Sequence, residues 1–273
     1  MVYVSDLISY PVKGCAGVSL RSSLVEPTGL RHDRTFMVVD ERDSFRSQRN
    51  DPSMARIRPT VLDDGAQLAL SAPGAKDLVI DVCPLGARRR VTVWRSKVIA
   101  ADQGEPAARW LSAVLGVTCR LVAIAPEHSR TSVGEHEGTV GFADGHALLI
   151  ASDASLDELN ARILERGASP VPMDRFRPNI VLRGWPVPHT EDRVHRMVIG
   201  EAEFGYAKIC VRCSVPMVDQ ATGRSDGPEP IRTLATYRRN PEGGVTFGMK
   251  AAVLRTGRVT VGDAVACEWR VLL

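Results

Sequence analysis

Two cysteines three residues apart, Cys210 and Cys213, carry the strongest chemical signal in the chain, within 209-ICVRCSVPMVDQATG-223. Cys213 follows a strand-like run and has Arg212 beside it. A cation next to a cysteine favours the thiolate, the form that ligates metals. Thiolate is a soft ligand and suits redox-active transition metals. Asp219 follows six residues on, inside a turn-like Asp-Gln-Ala-Thr-Gly. Three plainer readings stand beside this one. A structural zinc site needs a second Cys or His pair, and Cys15, Cys83, Cys119 and Cys267 each stand alone. A thioredoxin-like dithiol should open a helix in a βαβ unit, whereas Pro216 and a β-like stretch follow here. Two inert buried cysteines, packing as small hydrophobes, complete the set.

Four further segments hold residue types suited to an anion or a metal. In 10-YPVKGCAG-17, Lys13 sits in a glycine-containing turn after a strand, where backbone amides can face an anion. Arg34 opens a strand in 30-LRHDRTFMVVD-40. In 175-RFRPNIVL-182, Arg177 precedes Pro178, which holds the chain extended, and Asn179 comes next. His146, in 144-DGHALLI-150, could serve as a ligand or a base. Taken singly, these read as surface charges and a structural histidine. Only five of the 35 basic residues are lysine, so one arginine in a chosen place is weak evidence for an anion site.

Short alternating runs must position these residues. Strands are expected over 2–9, 20–25 and 35–40, and then over 58–62 and 67–71. The last two flank Asp63-Asp64-Gly65, a hairpin signal because Asp-Gly suits positive φ. Further strand-like runs fall at 78–82, 91–94, 179–182, 198–199, 207–211, 251–254 and 264–269. Such spacing suggests a barrel or sandwich. Two helices stand out. One spans 106–115 with Trp110, Leu111, Val114 and Leu115 on one face and stops at Gly116. The other spans 155–167, with Ser155 and Glu158 as a capping box. The polar stretch 125–139 reads as a linker or mobile loop and marks a domain boundary. Hydrophobic residues at 44% and charged residues at 25% are ordinary for a globular protein. A net charge of +3 gives no reason to expect nucleic acid or membrane as a partner. The start shows no leader, no run approaches a membrane span, and the cysteines are sparse, so a cytoplasmic location with reduced thiols is expected.

In order and together, YPVKGC, LRHDRTFMVVD, SDASLDELNARI, FRPNIVL, CVRC with VDQATG, and VTVGDAV resemble the MOSC proteins that carry an N-terminal MOSC-type β-barrel. That family includes bacterial YcbX-like proteins and the mitochondrial amidoxime-reducing component. The resemblance spans nearly the whole chain. It implies an α+β, mostly β fold, with an N-terminal barrel domain over 1–125 and a MOSC domain with a few helices over 126–273. It implies a molybdenum cofactor whose metal is held by the two dithiolene sulfurs of a molybdopterin and by the Cys213 thiolate. The family's cofactor contacts fall on Lys13, Arg34, Arg177, Asn179 and Arg212, and its local hydrogen-bonding positions on Gly14, Gly145, His146 and Val211. Gly14 stands where relatives often have Ser, Val211 replaces a small polar residue, and Gly145 and His146 fall where a hydroxyl pair can occur. Cys213 would set the metal's electronics, with Arg212 and Asp219 positioning it or handling protons.

The activity implied is two-electron reduction of N-hydroxylated compounds such as amidoximes, hydroxylamines and N-hydroxylated bases. The chain shows no pattern for a flavin, haem or iron–sulfur group and ends without a fused ferredoxin domain or a membrane anchor. Electrons are therefore expected from a separate donor protein: a ferredoxin, a flavin reductase or a b-type cytochrome. The alternative is a cofactor carrier or sulfur-delivery module without turnover, and a third reading is an interaction domain with a degenerate site.

Overall fold

The run 148-LLIA-151 contains no polar residue, the pattern of a strand covered on both faces. In the computed structural model, which describes residues 1–270, the strand Leu148–Ser152 is buried throughout and lies inside an eight-stranded sheet. From edge to edge that sheet runs Val18–Leu20, Tyr3–Ser9, Ile180–Arg183, Leu148–Ser152, Val245–Arg255, Ala202–Arg212, Val194–Ile199 and Val265–Trp269. Leu148–Ser152 and Ile180–Arg183 are parallel, and the helix Asp153–Glu165 lies in the connection between them, as a parallel pair requires. A bridge between Tyr3 and Ala264 brings the far edge back towards the first strands and curls the sheet towards a barrel. Its core includes Leu7, Ile150, Leu182, Met197, Phe204 and Met249.

A second body holds a four-stranded sheet, in the order Phe36–Val39, Arg120–Ile124, Ser96–Asp102 and Arg88–Val93. A three-stranded meander, Arg58–Leu62, Gln67–Ser71 and Leu78–Asp81, completes it. The expected hairpin is there, with Asp63, Asp64 and Gly65 all at positive φ. The helix Gly104–Leu115 ends at Gly116 with φ 70°, the left-handed conformation that glycine adopts without a Cβ clash. It buries Ala107 and Leu111 against Leu68, Leu70 and Leu121.

The fold is mostly β, as expected, but four local readings change. The expected 1–125 and 126–273 domains divide the chain, not the sheets. Tyr3–Ser9 pairs with Ile180–Arg183 in the eight-stranded sheet, and Ser22–Glu26 pairs with Gly257–Thr260 in a separate three-stranded sheet, so residues 3–30 pair largely with C-terminal strands. Residues 271–273 of that division lie outside the described residues. The second helix begins earlier than expected, capped by Ser152, whose side chain accepts from the Ser155 amide. Ser155 does not cap, because its hydroxyl donates at 2.7 Å to the fully buried Glu191, while Glu158 pairs with Arg162. A third helix, Ile231–Tyr237, was not anticipated, being too short to show an apolar stripe. The polar stretch 125–139 is packed, not free: Arg130 is buried, Thr131–Ser132 pairs with Gly138–Thr139, and the Glu135 amide donates to the Ala207 carbonyl.

Candidate functional site

The two bodies meet around the loops that follow their strands. Lys13 and Gly14 come after the first strand, and Arg34 precedes Phe36–Val39. Gln48 and Arg49 lie in a loop of the second body. Residues 143–146 precede Leu148–Ser152, and Arg177 and Asn179 precede Ile180–Arg183. The eleven-residue strand Ala202–Arg212 delivers Cys213 one position past its end. A turn, Val215–Met217, then redirects the chain at Pro216. One cleft is lined by Lys13, Gly14, Arg34, Gly145, His146, Arg177, Asn179, Val211, Arg212 and Cys213. Those are ten of the eleven residues expected at the site.

Within the cleft the two cysteines have different surroundings. Cys210 is buried and accepts from Arg212 Nη1 at 3.1 Å, while Arg212 Nη2 donates to the Phe176 carbonyl at 2.9 Å. Cys213 is only partly buried, and Arg49 Nη1 reaches its Sγ at 3.3 Å. The Arg49 guanidinium also lies 4.4 Å from the centre of the Trp94 ring, a contact that fixes a planar cation. Arg49 is thus the side chain of the second body that touches the sulfur, and sequence reasoning missed it. The run 47-SQR-49 has no spacing or hydrophobic pattern that sets this arginine apart from the others.

Arg34 and Arg177 converge on Tyr10, with guanidinium carbons 4.4 and 4.2 Å from the ring centre. Both arginines have positive φ, 48° and 57°, which costs backbone energy and places their side chains on the cleft. Arg34 pairs with the buried Asp33 at 2.6 Å, and Arg177 donates to the Cys15 carbonyl at 2.6 Å and to Gln220 at 3.1 Å. Lys13 is nearly inaccessible and donates to the Phe142 carbonyl at 2.8 Å and to Asp144. Burial lowers the Lys13 pKa, and Asp144 works against that. Burial raises the Asp144 pKa, yet the Lys13 ammonium outweighs it and holds the carboxyl well below the usual range. Arg130 donates to the carbonyls of Gly141, Ala143 and Asp144, which fixes the loop carrying that carboxylate.

Two residues have structural work. Asn179 is fully buried and complete in its bonds. Its oxygen accepts from Arg34 at 2.9 Å and from the Leu149 amide at 3.2 Å, and its amide donates to the Ile8 carbonyl and to Asp33. It thus orients Arg34 and ties the first strand to the site. Asn179→Ala should cost about 3 kcal/mol of unfolding free energy, since four side-chain hydrogen bonds in a buried setting are lost together. Urea unfolding checks this, and a loss below about 1 kcal/mol would contradict it. Asp219 is the corrected expectation. It lies outside the cleft lining, and its oxygens are taken by Arg175 at 3.0 Å and by the amides of Ala221 and Thr222. The turn amides hold its pKa low, so it is an ionised turn builder and not a proton relay at this cleft.

His146 lines the cleft with Nε2 3.3 Å from the Val133 carbonyl and a buried Nδ1 that has no partner. Burial, with Lys250 and Lys208 nearby, holds its pKa down at about 4. An unfolded histidine protonates at about 6.5. The stability conferred by a neutral His146 is therefore complete above about pH 6.5 and is lost as pH falls towards 4. His146→Gln should flatten that limb by about 1–3 kcal/mol, read by chemical denaturation at pH 7 and pH 4.5. An unchanged slope would contradict it.

Residues 1–118 match the MOSC N-terminal beta barrel domain, and residues 137–266 match the MOSC domain. The mitochondrial amidoxime-reducing component 1 of Mus musculus is 34% identical over 96% of this chain and 81% of its own length. The Homo sapiens protein of the same name is 30% identical over 96% and 82%. The chain belongs to the MOSC proteins with an N-terminal beta barrel domain. The molybdenum cofactor sulfurase of Oryza sativa is 28% identical over 91% of this chain, which matches 32% of that longer protein.

The cleft of this MOSC protein suits a phosphorylated, sulfur-rich metal cofactor. Six basic side chains line it, Lys13, Arg34, Arg49, Arg177, Arg212 and Lys250, against Asp144 in the lining and Asp33 behind Arg34, which leaves four of the six without a carboxylate among the described residues. Buried cations without counter-charges are costly, so such an excess favours an anionic occupant. Nδ1 of His146 and Nε of Arg212 are buried without a partner. Gly14 has φ 85° and offers its carbonyl to Gln48 Nε2 at 2.8 Å, so this turn works through backbone and not through a hydroxyl. No helix among the described residues of the MOSC protein is long and apolar enough to cross a membrane.

Proposed function

We propose that this chain is a molybdenum-cofactor oxidoreductase that reduces N-hydroxylated compounds with electrons from a separate donor protein. The observation that carries this is a partly accessible cysteine, Cys213, set among six basic side chains, in a chain similar along nearly its whole length to amidoxime-reducing components. Cys213 would hold the metal, and Lys13, Arg34, Arg177 and Arg212 would hold the phosphate and pterin. When bound, the cofactor supplies a metal able to change oxidation state by two electrons.

The chain's own residues do the rest. Arg49 fixes the Cys213 sulfur, and its stacking on Trp94 keeps that contact in one orientation. Arg212 fixes the neighbouring backbone through the Phe176 carbonyl. The Lys13–Asp144 pair is braced by Arg130 and joined to the same Trp94, whose Nε1 donates to Asp144 at 3.1 Å. Overall the reaction takes an N–OH compound, two electrons and two protons to the N–H compound and water. The protons must come through the cleft. His146 stays neutral at pH 7 because burial resists its charging, so it can accept a hydrogen bond but holds no spare proton there.

The test is turnover. Cofactor-loaded protein given a chemical low-potential donor should convert benzamidoxime to benzamidine, with no conversion when the donor is omitted. Absence of product from fully loaded protein across amidoximes and hydroxylamines would move the reading to cofactor carriage.

A further inference from the structure

Away from the cleft, Glu135, His136 and His195 bring one ligand atom each to within 4.8 Å of one another. The site is assembled from two separate parts of the chain. Glu135 and His136 sit in the tight loop between Thr131–Ser132 and Gly138–Thr139. His195 belongs to the strand Val194–Ile199.

The backbone around the cluster is shaped for it. Val194 opposes Trp269 and Arg196 opposes Glu268, so His195 is the extra residue of a β-bulge. Bulges re-aim a side chain out of the regular alternation. A second irregularity, between Tyr206 and Lys208, lies where the Glu135 amide donates to the Ala207 carbonyl. Gly205 lies under the His136 ring, and a Cβ there would stand 2.5 Å from Cγ of His136, so only glycine lets the ring settle.

The hydrogen bonds prepare the ligand atoms. Nδ1 of His136 is 2.9 Å from the Tyr206 carbonyl oxygen. A carbonyl only accepts, so Nδ1 carries the proton and Nε2 of the neutral ring keeps its lone pair. A carbonyl behind a ligating histidine is the usual support for such a ring. Glu135 Oε1 is 2.8 Å from Nδ1 of His195, while Arg270 holds the other carboxylate oxygen at 3.0 Å. Ligand atoms about 2.0 Å from a tetrahedral ion stand about 3.3 Å apart, between the 2.8 and 4.8 Å separations seen here, so small side-chain rotations close the set.

We propose that Glu135, His136 and His195 form a binding site for a divalent first-row transition ion of the zinc class, with the remaining position open to water. Two imidazoles and one carboxylate make a borderline donor set that zinc accepts and that magnesium or calcium, which want oxygen, do not. On binding, the ion takes the place of the proton between His195 Nδ1 and Glu135 Oε1, and the neutral His195 ring carries its proton on Nε2 instead. Bound ion would clasp the 131–139 loop to the large sheet. The same loop offers the Val133 carbonyl to His146 at the cleft.

The test uses the full chain, stripped of adventitious metal and titrated with Zn²⁺ against a chromophoric chelator. Wild type should bind with a Kd below roughly 10 µM and melt at a higher temperature with Zn²⁺ present. His136→Ala and His195→Ala should each weaken binding by at least about tenfold, and Glu135→Gln by about tenfold. Cys213→Ser should bind like wild type. Co²⁺ in place of Zn²⁺ should show no thiolate charge-transfer band. His195→Gln, at a partly exposed position, serves if removal of the packed His136 ring unfolds the chain. Wild-type affinity weaker than roughly 1 mM, equal affinity in the histidine variants, or loss confined to Cys213→Ser would each overturn the site.

Discussion

Cofactor-loaded Cys213→Ser should reduce an amidoxime at least about 100-fold more slowly than wild type at equal protein. A serine hydroxyl is harder and far less acidic than a thiol, so it does not replace a metal–sulfur bond. Cys213 is the one of the pair that remains partly accessible at the cleft, with Arg49 on its sulfur. Cys210→Ser should stay within about fivefold of wild type. Its sulfur is buried and its visible task is to accept from Arg212 at 3.1 Å, which a hydroxyl oxygen also does. Initial rates of amine or amidine formation decide the matter. Equal losses in both variants would favour a dithiol or a zinc pair over a single ligand.

Loss of a basic group should act on cofactor retention. Lys13→Ala, Arg34→Ala and Arg177→Ala should each weaken it by about 1–3 kcal/mol, or roughly 5- to 150-fold, the scale of a lost charge-assisted hydrogen bond. Arg177→Ala should lie at the upper end. It removes a buried cation, leaves the Cys15 carbonyl without its 2.6 Å donor and takes one of two donors from Gln220 Oε1, which keeps Gln48. Arg177→Lys should rescue little, because a single ammonium cannot span both acceptors while facing Tyr10. Asp219→Asn should leave retention within about threefold, since its oxygens face Arg175 and the turn amides. Pterin released after dialysis, measured by fluorescence, reads this series. Equal retention in Arg177→Ala and wild type would remove the clamp from the account.

The sequence shows which of these elements carry their own local signals. The Asp-Asp-Gly hairpin and the Gly116 helix stop are written in residues whose backbone preferences act over three or four positions, and both appear where expected. Lys13, Arg34 and Arg177 are legible only as a set, because they reach one cleft from segments far apart in the chain, Arg34 and Arg177 meeting on Tyr10. Arg49 was not legible. Nothing in 47-SQR-49 foretells that it crosses between two bodies to Cys213. Asp219 misled because its spacing from Cys213 resembles a site residue, whereas its turn consumes both oxygens. The placement of Tyr3–Ser9 in the C-terminal sheet was equally hidden, since strand pairing across 170 residues leaves no periodic trace in either strand.

In the proposed function, the cleft holds molybdenum through the Cys213 sulfur. X-ray absorption at the molybdenum edge, on protein made in a host that synthesises the cofactor, measures the sulfur neighbours directly. Cys213→Ser, loaded alongside wild type, should show one fewer sulfur at the metal, and Cys210→Ser should show the wild-type number. An unchanged sulfur count in Cys213→Ser, or a wild-type metal with no sulfur beyond the dithiolene pair, would contradict it.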